Sequence, residues 1–395
     1  MAIRVSVPSS KSYTQRALVL AALAPGQSVV RRPADCDDAR VLVKALGDLG
    51  VDLSWDAPEA IRVRGGGPLE APPGPVHLEN AGTAVRFVTG LSALVRGSMV
   101  IDGVEAMRRR PMPGLLRALE DLGVSVEEQG RPGCPPVRLE RRSSRVPERV
   151  DLDAAGSSQQ LSALLLAAPR LERGLVIELS SELPSRPYVD MTLAAIRAFG
   201  GRADWVGPGA LRVEPGGLAG REYEVEGDWS GAAMVLAGAW IRGIEVHIDN
   251  LPAESLQGDR VFTEVLAALS AEGPRAIDLG DAPDVVPPAV AAALFAEGAT
   301  RFEGIGHLRI KESDRMAVLA GELAKVGADI ECEDDAMTVR PRPLSGSAAL
   351  DPHGDHRMAM AFGLARLRVP GIEVLDQGCV SKSFSDFWSV LEALG

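Results

Sequence analysis

The sequence predicts an α/β protein of two domains, each an inside-out α/β barrel in which three buried helices pack together and small sheets cover them. Three observations carry that expectation. An Ala/Leu-rich helical segment, opened by a short polar turn and usually closed by glycine, occurs six times along the 395 residues. A second, amphipathic helix with an Ala-Leu-x-x-Leu-Gly type ending recurs inside each interval. Short alternating or β-branched stretches follow most of these amphipathic helices.

In order, the buried segments read SYTQRALVLAALAPG, NAGTAVRFVTGLSALVRG, SSQQLSALLLAAPRLERG, DWSGAAMVLAGAWIRG, PDVVPPAVAAALFAEG and DHRMAMAFGLARLRVPG, closing at Gly26, Gly97, Gly174, Gly243, Gly298 and Gly371. Their spacing, roughly 55 to 77 residues, is too long for a solenoid and suits a small α/β unit. The amphipathic helices, such as LLRALEDLG, end at Gly50, Gly123, Gly200, near Gly273, at Gly327 and at Gly395. VDLSW, VSVEEQ, ADWVG, ADIECE and MTVRP read as strands. Each repeat is therefore a βαβαββ unit. Six units exceed one core, so three fall to each domain, with the break near Glu226.

Hydrophobic residues at 46%, charged at 24% and aromatics at 4% suit closely packed α/β structure. The formal net charge of −12 argues against general nucleic-acid binding, which needs a basic face. Cys36, Cys134, Cys332 and Cys379 lie far apart, with no CxxC pair and no histidine at ligand spacing, and read as reduced thiols. His353 and His356 in HGDH fit capping and anion binding better than a metal, so no metal is expected. The start, MAIRVSVPSSKSY, has no apolar core of a signal peptide, and no apolar run approaches a membrane span. A soluble, cytoplasmic chain without membrane partners is the expectation.

The six polar turns share one position, the N-terminus of a buried helix, where free N–H groups and the helix dipole favour anions. They carry Lys11, Ser12 and Arg16; Asn80, Thr83 and Arg86; Ser157, Ser158 and Gln159; and Asp355, His356 and Arg357. Basic clusters stand beside them at Arg108-Arg109-Arg110-Pro111, in RIKESDR with Lys311, Glu312 and Arg315, and at Lys382 in VSKSFSDF. Each alone reads as a surface charge or an N-cap. Recurrence at equivalent positions is the stronger signal, and it points to a small polyanion held by Arg forks and Lys point charges.

On these residues the chain resembles the enolpyruvyl transferase superfamily, and within it the 5-enolpyruvylshikimate-3-phosphate synthase family, over essentially its whole length. Ser10-Lys11-Ser12 to Arg16, NAGTAVR, RRRPMPGLLRALEDLG, SSQ, ELPSRPYVDMTL, APDVVPPAV, RIKESDR, DHRMAMAF and GCVSKSFSDFW match its motifs in order. The resemblance implies that Lys11, Ser12, Arg16, Ser157, Ser158, Gln159, Ser185, Tyr188, Asp284, His307 and Lys311 bind shikimate 3-phosphate. It implies that Lys11, Gly82, Arg110, Gln159, Arg315, Arg357 and Lys382 bind phosphoenolpyruvate. Lys11, Asp284 and Glu312 would be catalytic, with no metal or organic cofactor. Tyr13-Thr14-Gln15, Glu79, Phe87 and His307 depart from the usual residues, and His307 stands where a ring-binding Asn is common. The resemblance also implies a monomer, sensitivity to glyphosate, and domains of 1–10 plus 227–395 and of 11–226. It has the first strand, roughly Ile3 to Val7, pairing with the last unit so that the chain crosses twice.

The implied reaction is addition–elimination: phosphoenolpyruvate is protonated at C3, the 5-hydroxyl attacks C2, and phosphate leaves. Arg110, Arg315, Arg357 and Lys382 suit the grip on a carboxylate and phosphate. Asp284 would take the hydroxyl proton, and Lys11 and Glu312 would serve C3 and the leaving phosphate, in either assignment. Lys11 is expected among cations, which makes an ammonium a better acid. The related transferase that acts on a UDP-sugar needs a reactive loop cysteine, and none of the four matches one. The RNA 3′-phosphate cyclases share the repeat and need a nucleotide-accepting histidine, which the acidic balance disfavours. A paralogue acting on another sugar or cyclitol phosphate, and a non-catalytic anion-binding relative, are the other readings. Lys11, Asp284 and Glu312 argue against the last, since binding alone needs no acids.

Overall fold

Helices with no polar face must be covered on all sides, and the Ala/Leu-rich segments are such helices. The computed structural model describes residues 3–142, 147–252 and 254–395. The first repeat comprises α1 (Lys11–Leu23), β2 (Gly26–Arg31), α2 (Asp37–Asp48), β3 (Asp52–Asp56) and β4 (Ala60–Gly65), and follows a short β1 (Ile3–Val5). The second is β5 (Val76–His77), α3 (Gly82–Leu91), β6 (Ser98–Asp102), α4 (Pro113–Asp121), β7 (Val124–Glu128) and β8 (Val137–Arg141). The third is β9 (Arg149–Leu152), α5 (Ser158–Ala167), β10 (Leu175–Leu179), α6 (Arg186–Ala198), β11 (Ala203–Gly207) and β12 (Ala210–Val213), followed by β13 (Glu222–Glu224). The fourth is α7 (Trp229–Arg242), β14 (Val246–Ile248) and α8 (Phe262–Leu269). The fifth is β15 (Arg275–Asp278), α9 (Val286–Ala293), β16 (Thr300–Glu303), α10 (Arg315–Ala324), β17 (Asp329–Cys332) and β18 (Ala336–Arg340). The sixth is β19 (Ala348–Leu350), α11 (His356–Arg366), β20 (Ile372–Val374) and α12 (Phe387–Ala393).

Two units contain these repeats, Ser9–Glu226 and Met1–Pro8 with Gly227–Gly395. Full repeats build four-stranded sheets in the orders β5-β6-β8-β7, β11-β12-β10-β9 and β15-β16-β18-β17. In each, the opening strand runs parallel to the second and the last two add antiparallel, as in Ile177 beside Val150 on one side and Leu211 on the other. The first repeat has no opening strand of its own. β13 supplies it, with Glu222–Glu224 parallel to Val29–Arg31.

The same device corrects the placement of β1. Expected on the last repeat, it lies parallel to β14 of the fourth, with Ile3 opposite Val246. The reason is topological: α7 begins straight after the crossing at Gly227 and lacks an opening strand, whereas the sixth repeat has β19 beside β20. The fourth and sixth repeats also lack the closing strand pair, so their sheets have two strands, and no sheet among the described residues closes into a barrel.

α1, α3 and α5 fill one core and α7, α9 and α11 the other. Every residue of α1 from Tyr13 to Leu23 is buried, as is every residue of α11 from His356 to Ala365. Small residues let these helices approach closely. On α3 a Cβ added to Gly90 would stand 2.7 Å from the Ala163 carbonyl of α5. The amphipathic helices bury one stripe only: on α2, Leu42, Ala45 and Leu46 face the core while Lys44 and Asp48 pair outside at 2.6 Å. No helix among the described residues is long and apolar enough to cross a membrane. Phe362 on α11 is fully buried. Phe362→Ala is expected to cost about 3–5 kcal/mol, read as a drop in the urea midpoint; a loss under about 1 kcal/mol would contradict this packing.

Candidate functional site

Buried helices leave their first N–H groups unsatisfied, and each unit equips these starts differently. In the unit Ser9–Glu226, Ser10 caps α1 by accepting the Tyr13 N–H at 3.4 Å, and Ser157 caps α5 by accepting that of Gln159 at 3.2 Å. α3 starts at Gly82 with no side-chain cap. Arg110 covers that start: a Cβ added to Gly82 would lie 2.5 Å from its Nη2 and 2.7 Å from its Nη1. A larger residue there would have to displace the guanidinium. Arg110 also donates to the Asn80 carbonyl at 3.4 Å, and Arg86 fixes the loop by donating to the carbonyls of Arg110 and Pro111 at 2.9 and 3.1 Å. Arg108 and Arg109 instead pair with Asp102 and Glu105 at 2.6 and 3.2 Å. Of three successive arginines, the third turns inward.

Lys11 stands at the first position of α1 with Nζ 3.0 Å from the Asp38 carboxylate, both largely buried. Its partner is thus an anion, where the sequence suggested cations; the acidic first turn of α2 delivers Asp38 to it. Arg16, one turn further, is 3% exposed. It donates to the carbonyls of Ser12 at 2.9 Å and Tyr188 at 2.8 Å, and to the hydroxyl of Thr192 at 2.8 Å. None of its partners among the described residues is a carboxylate. Burial lowers its pKa to about 10, with Tyr13, Tyr188 and Tyr223 opposing. Ser185 precedes α6 in the left-handed region at φ 58°, a strained setting for serine, and is buried. Ser158 is buried, and Gln160 beside it accepts the Leu115 N–H at 2.8 Å, tying the start of α4 to that of α5.

In the other unit, one hydrogen-bonded array gathers five of the expected residues around Arg315. Its Nη1 donates to Asp284 at 2.9 Å, its Nη2 to Glu312 at 2.9 Å and its Nε to Asp355 at 2.8 Å. Arg357 takes the second oxygen of Asp284 at 2.8 Å, and Lys382 the second of Glu312 at 3.2 Å. Burial opposes the charge on Arg315, yet Asp355, Glu312 and Asp284 together push its pKa up. Asp355 caps α11 through the Arg357 N–H at 3.0 Å, so HGDH is a capping turn. Among the described residues, no group of three or more His, Cys, Asp or Glu could hold a metal.

His307 lies in a short 3-10 helix (Gly306–Ile310). Burial lowers its pKa to about 4, helped by Lys311 and Arg315 and opposed by Asp284 and Asp335. Its Nε2 is buried and has no hydrogen-bond partner among the described residues. The ring is therefore neutral near pH 7, with an unused polar atom beside Asp284 and Lys311.

Asp38, Gln160, Ser162, Thr192 and Asp259 support these groups from distant parts of the chain, and no local pattern marks them. One compositional signal was open to view. The chain has five lysines, Lys11, Lys44, Lys311, Lys325 and Lys382, in a sequence otherwise served by arginine. Lys44 and Lys325 pair with helix neighbours at 2.6 Å, and the other three stand at or beside the arrays just described.

The model of the family described as EPSP synthase (3-phosphoshikimate 1-carboxyvinyltransferase) matches residues 2–391. A 3-phosphoshikimate 1-carboxyvinyltransferase of Methanosphaerula palustris is 38% identical over 410 residues, covering 99% of this chain and 96% of the relative. One from Rhizobium leguminosarum bv. trifolii is 37% identical over 398 residues, covering 99% and 94%. Among solved structures, an EPSP synthase from Acinetobacter baumannii is similar with a TM-score of 0.81 at 26% identity, over 99% of this chain and 95% of that one. An enolpyruvyl transferase from Streptomyces tendae, at 16% identity and a TM-score of 0.75 over 100% and 94%, shares the fold. The chain belongs to the EPSP synthase (3-phosphoshikimate 1-carboxyvinyltransferase) family.

Proposed function

We propose that this chain transfers the enolpyruvyl group of phosphoenolpyruvate to the 5-hydroxyl of shikimate 3-phosphate, releasing phosphate, through the residues gathered at its helix starts. The observation that carries the assignment is the array in which Asp284 and Glu312, two acids, are locked to Arg315, Arg357 and Lys382. A reaction that moves protons on a bound anion needs both acids and cations.

Ser157, Ser158 and Ser185 hold the phosphate of shikimate 3-phosphate, with Gln159, Ser12 and Tyr188 beside them and Lys11 and Arg16 supplying charge. Arg16 acts from beneath, by fixing the carbonyls of Ser12 and Tyr188. His307 and Lys311 meet the ring. Arg110, Arg315, Arg357 and Lys382 grip phosphoenolpyruvate, with Gly82 leaving room and Gln159 assisting. C3 of phosphoenolpyruvate takes a proton, the 5-oxygen bonds to C2, and Asp284 accepts the hydroxyl proton. Loss of a proton from the new methyl and of phosphate from C2 then restores the enol. Lys11 and Glu312 share the C3 proton and the leaving phosphate. Held Asp284 and Glu312 need no reorganisation during these steps. Phosphate release with both substrates tests the reading; no release with either order of addition would contradict it.

Gly82→Ala is expected to raise KM for phosphoenolpyruvate about tenfold or more, about 1.4 kcal/mol, because the methyl displaces the Arg110 guanidinium. Glyphosate, the longer competitor, should lose more than the substrate does. Equal KM changes for both substrates would remove Gly82 from this role. Arg357→Ala should weaken phosphoenolpyruvate binding by about 2–5 kcal/mol and shikimate 3-phosphate far less, measured by calorimetry; equal losses would reassign Arg357.

The unfolded chain protonates His307 near its ordinary pKa of about 6.5, while the folded one does so near about 4. In that window the unfolded state binds the extra proton, so stability falls as pH drops through it. His307→Asn is expected to flatten this acid limb of the unfolding curve, and an unchanged limb would contradict the neutral, buried imidazole.

A further inference from the structure

One buried carboxyl in the acidic unit is left over by the reaction. Asp259 lies in a short 3-10 helix (Gly258–Val261) in the turn QGD and is 2% exposed. This turn clamps the start of α7. Gln257 accepts the Trp229 N–H at 3.1 Å and donates to the Gly227 carbonyl at 2.8 Å. Asp259 accepts the Ser230 hydroxyl. On its other side, the same turn packs against the 3-10 helix Pro283–Val285 that carries Asp284. Asp259 therefore belongs to a turn packed against the one that carries the carboxylate held by Arg315 and Arg357.

The charged groups that act on it are Asp284 from that neighbouring turn, Arg357 from α11 and Asp228 from the cap of α7. Two carboxylates near one arginine compete for it, and ionising both in a buried setting is costly. We propose that Asp259 is a positioning residue for the transfer reaction: it carries a proton in the active protein, leaving Arg357 to Asp284, and its ionisation draws Arg357 away and weakens the grip on phosphoenolpyruvate. The inference rests on the assignment of Arg357 to phosphoenolpyruvate made above. Burial first, then Asp284, pushes the Asp259 carboxyl up to about 7, against the opposing pull of Arg357 and the Ser230 hydroxyl. The switch then falls near neutral pH.

Two readouts on the full-length protein test this. In the infrared, native protein should show a carboxylic acid C=O band at about pH 6 that fades by about pH 8 and is absent from Asp259→Asn. In steady-state assays, KM for phosphoenolpyruvate should rise about threefold or more over the same range in the native protein, and stay flat and low in Asp259→Asn. KM for shikimate 3-phosphate should not follow. Ser230→Ala, which removes a hydrogen bond that favours the carboxylate, should move the inflection to higher pH; a merely structural pair would leave it in place. The proposal is overturned if the band is absent, if the inflection persists in Asp259→Asn, or if the band titrates with no change in KM. Phosphoenolpyruvate affinity that is unaltered in Arg357→Ala would instead fault the assignment on which the proposal rests.

Discussion

One buried guanidinium organises the acidic unit. Arg315 carries three carboxylates, from the turn before α9, from the loop before α10 and from the cap of α11. Each would be expensive to bury alone, and removing one partner from such a cluster strands a charge at a cost of about 3–5 kcal/mol. The cluster therefore fixes where three chain segments meet. It also fixes the direction in which Asp284 and Glu312 present their remaining oxygens, which Arg357 and Lys382 then take up. The directions of these carboxylates are set by a single fork of five donors that a lysine could not reproduce.

The other unit solves a different problem. Ser10 and Ser157 cap α1 and α5 with hydroxyls, and the uncapped start of α3 is covered by Arg110. Arg16 is a buried cation whose partners among the described residues are all neutral. Lys11 departs from that rule because Asp38 holds it.

Much of this was legible in the sequence, because the repeat is built from local signals. Periodicity, closing glycines and polar turns fix each helix from α1 to α12 without reference to distant residues. Topology is less local: β13 completes the repeat at the other end of its unit, β1 completes one that begins only after Gly227, and nothing in EYE or IRV names a partner. Motifs named the candidate residues, yet their partners stayed hidden. Asp38 lies 27 residues beyond Lys11 in an ordinary acidic helix start, and Thr192 reaches Arg16 across 176 residues. Polar pairing of this kind is a property of packed elements, and only coordinates display it.

On the proposed function, the fork of Arg315, beyond its charge, holds Asp284 and Glu312 in place for the reaction. Arg315→Lys keeps the charge and loses the fork, so phosphate release from phosphoenolpyruvate and shikimate 3-phosphate by this variant is the most direct measurement. A fall of about a hundredfold or more in kcat, in a protein that still unfolds in one cooperative transition and still binds shikimate 3-phosphate, is the predicted result. A rate close to that of the native chain would contradict the account.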